Sequence, residues 1–293
     1  MHQRHRSARR SARIVGAAVA ASALLGACAT DVTQATVTSP PAVESANYES
    51  LMRVADAMRA GGDNVAAVGM YKRASTIMPL NAEPLVKLGA ALYDLKAFNE
   101  AATAYRSALG LDANSADAMR GLGNVMLSLD QPHIARKHLE AALAIDPRDA
   151  RTYNSLGVVL DLIGDHSAAQ ARYREGLGLS ADNLMLRNNL GLSLALSGDY
   201  REAVAILRQI ALHPAATARN RQNLALVYGL SGDLETAARV ARMDLDEAAV
   251  RSNLAYYTVL REMADRPRTS AVGGANPVRA QIMGYGKAEP QQR

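Results

Sequence analysis

The chain repeats itself at a fixed interval. Asn188-Asn189-Leu190-Gly191, leading to Ser197-Gly198-Asp199, returns as Gln222-Asn223-Leu224-Ala225, leading to Ser231-Gly232-Asp233, an offset of 34 residues. A period of this length confines a chain to stacked copies of one supersecondary unit, each burying its apolar face against its neighbours. Carried backwards, the period opens repeats at Tyr48, Ala82, Ala116, Ala150, Leu184 and Ala218. It aligns Val54, Leu88, Leu122, Leu156, Leu190 and Leu224, and beside them Ala55, Gly89, Gly123, Gly157, Gly191 and Ala225. Met58, Leu92, Met126, Leu160, Leu194 and Tyr228 follow three places on, so each repeat begins with an i, i+1, i+4 stripe on one helix face.

The second half of the repeat holds the unbroken column Ala67, Ala101, Ala135, Ala169, Ala203 and Ala237. Four residues on stand Tyr71, Tyr105, Leu139, Tyr173, Leu207 and Ala241. Small residues let two antiparallel helices approach closely while Leu and Tyr fill the space between them. Each repeat is therefore expected to be a helical hairpin. Its turn falls at Gly62-Asp63, Gly164-Asp165, Gly198-Asp199 and Gly232-Asp233, where glycine can end one helix left-handed and Asp can cap the next. Lys96-Ala97 and Asp130-Gln131-Pro132 replace it in the second and third repeats, and Pro79, Pro147 and Pro214 stop second helices. Ala241 and Asp244 break the large/small pattern of the sixth, so residues 247–263, with Val250, Leu254, Tyr257 and Leu260, are expected to cap the array.

This pattern resembles the tetratricopeptide repeat (TPR) over residues 48–251. The resemblance implies an all-α fold: a TPR solenoid of six helix-turn-helix repeats (48–81, 82–115, 116–149, 150–183, 184–217 and 218–251) plus a C-terminal capping helix.

Both flanks differ from the repeats. Residues 1–27 carry Arg4, Arg6, Arg9, Arg10 and Arg13, then an apolar run from Ile14 to Leu25, the layout of an export signal too short to span a bilayer. Leu25-Gly26-Ala27-Cys28, with the chain's one cysteine, resembles a bacterial lipobox, which implies lipidation at Cys28. Ala29 after it implies the outer membrane, periplasmic face. The charge agrees: without residues 1–27, the remaining 28 Lys and Arg balance 28 Asp and Glu, and the chain's pI near 9.4 reflects the leader. Residues 28–47, rich in Thr, Ser, Ala and Pro, read as a flexible tether of about 60–70 Å at full extension. Residues 264–293, with Pro267, Gly273-Gly274, Pro277 and Pro290, read as a disordered tail.

Catalytic signatures are missing from the sequence. His133, His138, His166 and His213 lack metal-ligand spacing and read as solvated surface residues. No G-x-S-x-G elbow occurs, and the glycines of Gly121-Leu122-Gly123 serve helix packing. With no tryptophan and only Phe98, a base-stacking platform is not expected. The expectation is a non-enzyme with no cofactor, no metal, no nucleic acid and no small-molecule substrate.

In TPR arrays the first helices line a concave groove. By that resemblance, Arg120, Asn154, Asn188 and Gln222 supply hydrogen bonds to a bound peptide and Val158, Leu192 and Leu226 supply apolar contact. Met52 and Val86 occupy the same column in repeats one and two. Arg120 and Asn124 stand where the carboxylate clamp of chaperone-binding TPR domains begins, but Met185 and Asn189 replace its other cations. The architecture, together with Asn253-Leu254-Ala255-Tyr256-Tyr257, resembles the outer-membrane lipoproteins that assist assembly of Tad/Flp pilus secretion machines. That implies a protein partner, the secretin or another pilus assembly component, and a membrane held through the lipid anchor. A type IV pilus pilotin and a periplasmic adaptor for peptidoglycan enzymes are the alternatives.

Overall fold

The turn between the two helices of a repeat sets the architecture, and one backbone position controls it. Gly62, Gly164, Gly198 and Gly232 all have φ between 86° and 94°, and at the same register Lys96 and Asp130 adopt φ of 61° and 56°. A side chain there suffers a carbonyl–Cβ clash that glycine escapes. Lys96→Gly and Asp130→Gly are each expected to stabilise the fold by about 0.5–1 kcal/mol, read as a rise in the midpoint of urea unfolding. Asp63, Asp165 and Asp233 then accept from the backbone N–H three residues on, at 3.0–3.1 Å, opening each second helix. Asp199 makes no such cap; its carboxylate accepts instead from the Ser197 hydroxyl at 3.0 Å.

The structure, a computed structural model, describes residues 42–265; the expected signal, Cys28 and almost all of the expected tail lie outside the described residues. Within them the first helices of the six hairpins are α1 (Ala42–Ala60), α3 (Glu83–Asp94), α5 (Ala116–Ser128), α7 (Ala150–Ile163), α9 (Leu184–Leu196) and α11 (Ala218–Ser231). The second helices are α2 (Asn64–Ile77), α4 (Phe98–Leu111), α6 (Pro132–Ile145), α8 (His166–Leu179), α10 (Tyr200–Ala211) and α12 (Leu234–Ala241), and α13 (Glu247–Asp265) closes the stack. No strand occurs among the described residues, and no helix there is long and apolar enough to cross a membrane. One difference from the sequence reading is at the start: residues 42–47, expected in the tether, already belong to α1. Ala42, Val43, Glu44 and Ala46 follow Pro40-Pro41, and a helix readily starts just after proline.

Packing follows the small and large columns. All six alanines of the second-helix column are 0% exposed. A Cβ built on Gly157 would lie 2.4 Å from the Tyr173 ring, on Gly191 2.8 Å from Leu207, and on Gly123 2.7 Å from Leu139. Tyr105 is gripped from two sides, by Gly89 of its own repeat and Gly121 of the next. The result is one continuous apolar seam from Tyr48 to Leu260.

The sixth repeat departs for a chemical reason. Asp244 stands where earlier repeats carry small or apolar residues, and a carboxylate there needs partners. Arg221 of α11 supplies them, its Nε donating to Asp244 Oδ2 at 2.9 Å, with Gln222 Nε2 adding a bond at 3.2 Å. The helix that would have run through Asp244 stops at Ala241, and α13 covers α11 and α12, pressing Tyr257 onto Gly229.

Candidate functional site: the first-helix groove

Neighbouring first helices from α3 to α11 pack against one another, whereas neighbouring second helices make no comparable contact. The array therefore bends toward its first helices, and their shared face is the inner one. Residues 35 apart meet across this face: Arg59 Nε donates to Asp94 at 2.9 Å, Ser128 Oγ to Tyr93 at 3.1 Å, Asn189 Nδ2 to Asn154 at 2.8 Å, and Asn223 Nδ2 to Asn188 at 2.9 Å. One repeat plus one residue is thus the rung spacing of the groove.

The rungs change character along the array. In the first two repeats they are charged and line two clefts of about 400 and 270 Å³, which sequence reasoning did not single out. Asp56 sits between them, accepting from Tyr71 OH at 2.6 Å and Lys87 Nζ at 2.7 Å. Burial works to raise its carboxyl, but those two bonds outweigh it and hold Asp56 below the usual carboxylate range. Tyr48 is pushed up to about 12 by burial and by the Glu83 charge beside it.

At the third repeat Arg120 is already engaged. Its guanidinium pairs with Asp149 at the start of α7 and with Asp117 one turn before it, and only 16% of the side chain is exposed. Asp149 also accepts from Thr152 Oγ1 at 2.8 Å and Arg151 Nε at 2.9 Å. Arg120 thus locks repeat three to repeat four rather than offering a free cation, a second reason why no carboxylate clamp forms; Asn124 is half-buried nearby. Burial alone would raise Asp149, yet bonds from Arg151 and Thr152 and the Arg120 charge bring it to about 2. The stability this contributes is complete above the ordinary carboxyl range and is lost as pH falls from about 4 to 2. Asp149→Asn is expected to flatten the acid limb of a stability-versus-pH curve over that window.

From the fourth repeat on, the rungs are amides. Asn188 Oδ1 accepts from Asn220 and Asn223, Asn188 donates to Asn189, and Asn189 donates to Asn154. Gln222 turns to Asp244 and leaves its Oε1 buried and unpaired. Each of Asn188, Asn189, Asn220 and Asn223 spends one of its two N–H donors in these bonds, so the row keeps donors along its length.

The apolar half of the expected groove set lies elsewhere. Val158, Leu192 and Leu226 are 0%, 4% and 6% exposed and belong to the seam, not to the open face. The reason is that α7 and α9 are each enclosed by two first and two second helices, so their middle turns are closed on nearly every side. Met185, half exposed at the start of α9, is the apolar surface actually presented near the amides.

His166 also differs from its expected solvated place. Its Nδ1 lies 2.8 Å from Oδ1 of Asp161, a fully buried carboxylate that accepts from Ser193 Oγ at 2.7 Å and Tyr173 OH at 3.0 Å. Gln170 Nε2 adds a bond to Ser197 Oγ at 2.9 Å. The cluster joins α7, α8 and α9. Ser193 is sealed from solvent and its hydroxyl donates a hydrogen bond to the carboxylate, so the arrangement is a structural joint. The available signal was an Asp in a column otherwise holding Arg59, Tyr93, Leu127, Ala195 and Gly229, the only acid among the six.

Residues 115–182 match the tetratricopeptide repeat family model. No curated protein matches the chain in sequence. Among solved structures, PilF of Pseudomonas aeruginosa is similar with a TM-score of 0.61 at 17% identity, covering 73% of this chain and 99% of that one. A tetratricopeptide repeat protein from Parabacteroides merdae ATCC 43184 is similar with a TM-score of 0.59 at 17% identity, covering 82% and 98%. YrrB, described as a TPR protein with an unusual peptide-binding site, is similar with a TM-score of 0.50 at 21% identity, covering 62% and 96%. The described residues form an all-α solenoid with the tetratricopeptide-repeat fold, and residues 115–182 carry that family's signature.

Proposed function

We propose that this chain is an outer-membrane-anchored, pilotin-like scaffold resembling TadD, which assists assembly of a Tad/Flp pilus secretion apparatus by holding a segment of the secretin in its first-helix groove. The observation that carries the binding mode is the amide row from Asn154 to Asn223, whose remaining N–H donors suit the backbone carbonyls of an extended, uncharged segment. The anchor rests on Leu25-Gly26-Ala27-Cys28 in the sequence. Two acyl chains or more on one residue hold a protein to a bilayer far better than the marginal binding of one chain.

The test uses the full-length chain in cells. Replacing Asn188, Asn189 and Asn223 together by alanine is expected to reduce secretin multimers and surface pili while the protein stays in the outer-membrane fraction. Wild-type multimers and pili in both this variant and a deletion strain would sink the secretin reading, and co-purification of peptidoglycan enzymes would replace it with an adaptor role. Cys28→Ala is expected to free the protein from the outer membrane; unchanged fractionation would overturn the anchor.

A further inference from the structure

The two ends of the array are unfinished in matching ways. Leu88, Leu122, Leu156, Leu190 and Leu224 are 2–6% exposed, but Val54, their counterpart in the first repeat, is 41% exposed. Each of the five leucines lies on a first helix packed against the second helix of the preceding repeat; among the described residues α1 has no such helix before it. With the partly buried Leu51 and Met58, Val54 makes an apolar stripe at i, i+3, i+7. At the far end, α13 turns Val250, Tyr257 and Leu260 inward, and its outer face carries Tyr256, Val259 and Met263, 37–46% exposed and again at i, i+3, i+7. A terminal cap ordinarily shows water a polar face. This one does not.

We propose that the two stripes bind each other between copies of the chain, α13 of one molecule seating on α1 of the next. Run antiparallel, the helices bring Met263 to Leu51, Val259 to Val54 and Tyr256 to Met58. The charges fit the same alignment. Arg53, between Leu51 and Val54, is 73% exposed with its carboxylate partner Glu49 at 3.9 Å, and the exposed Glu262 stands beside Met263. An interface made of two different patches is head-to-tail, so it builds rows or rings rather than closed pairs. The inner faces of successive molecules would then continue one another.

The test pairs cysteines in the full-length protein carrying Cys28→Ser, so that the engineered thiols are its only ones. Val54→Cys and Val259→Cys in one chain, treated with a short bis-maleimide, are expected to give a ladder of dimers, trimers and higher species, while a mixture of the two single variants gives dimers only. Adding Met263→Arg, with Val54→Cys and Val259→Cys both retained, should abolish the ladder and leave the melting curve unchanged, since Met263 is 44% exposed and not part of the core. A chain that stays monomeric overturns the proposal, as does self-linking of Val259→Cys alone, which would mark a two-fold contact. Protection of Val259→Cys from alkylation in a monomer would assign the stripe to residues 266–293 and likewise overturn it.

Discussion

Gly121→Ala is expected to lower stability by about 1–3 kcal/mol, several degrees in thermal midpoint for an array of this size. The added Cβ would lie 2.2 Å from Cζ of Tyr105, well inside van der Waals contact. Relief by movement is blocked, because Gly89 grips the same ring from the other side, where a Cβ would stand 2.8 Å from it. Gly110→Ala is the matched control: it lies in α4 with nothing within 4 Å of its would-be Cβ, and is expected to stabilise by about 0.5–1 kcal/mol through helix propensity alone. Tyr105→Leu, the residue type that meets Gly123 and Gly191, should recover part of the loss in a double-mutant cycle. Equal melting of Gly121→Ala and Gly110→Ala would disprove the packing described for this seam.

Asp161→Ala is expected to cost roughly 2–4 kcal/mol, because a buried hydroxyl stripped of its acceptor costs about 1–3 kcal/mol and both Ser193 and Tyr173 lose theirs together. The site of the damage matters as much as its size. In a stack whose units touch only their neighbours, weakening one junction divides the array. Hydrogen exchange should show α9 to α13 losing protection ahead of α1 to α6, and thermal unfolding should broaden or split. Asp161→Asn keeps one acceptor oxygen and should lose less. Uniform exchange along the array, with a wild-type midpoint, would mean that the Asp161 cluster is not the joint between repeats four and five.

The columns that made the repeat legible are those whose chemistry repeats. The six alanines from Ala67 to Ala237 are sealed in every hairpin because an identical helix–helix approach recurs at each, and a one-dimensional period can report a contact made identically six times. The glycine turn was legible for the same reason, and even its exceptions, Lys96 and Asp130, keep the same backbone geometry. Groove residues were legible only as positions. That Arg120 and Asn154 lie on the first helices followed from the register; that Arg120 is bound to Asp149 at the cap of α7 and Asn154 to Asn189 did not, because both bonds join one first helix to the next.

What the sequence determined by itself is the hairpin, its period, its close-packed columns and the oddity of the sixth repeat, all of which depend on residues within one 34-residue window. What only the tertiary structure decided is which side chains remain available. Val158, Leu192 and Leu226 share a column with groove positions, yet four neighbouring helices bury them; His166 reads as a surface residue, yet a carboxylate from the adjacent helix holds it. Val54 shares a column with five buried leucines, and lies open only because no second helix precedes it among the described residues. Exposure is a property of what stands next door, and the period is the same whether the neighbour is there or not.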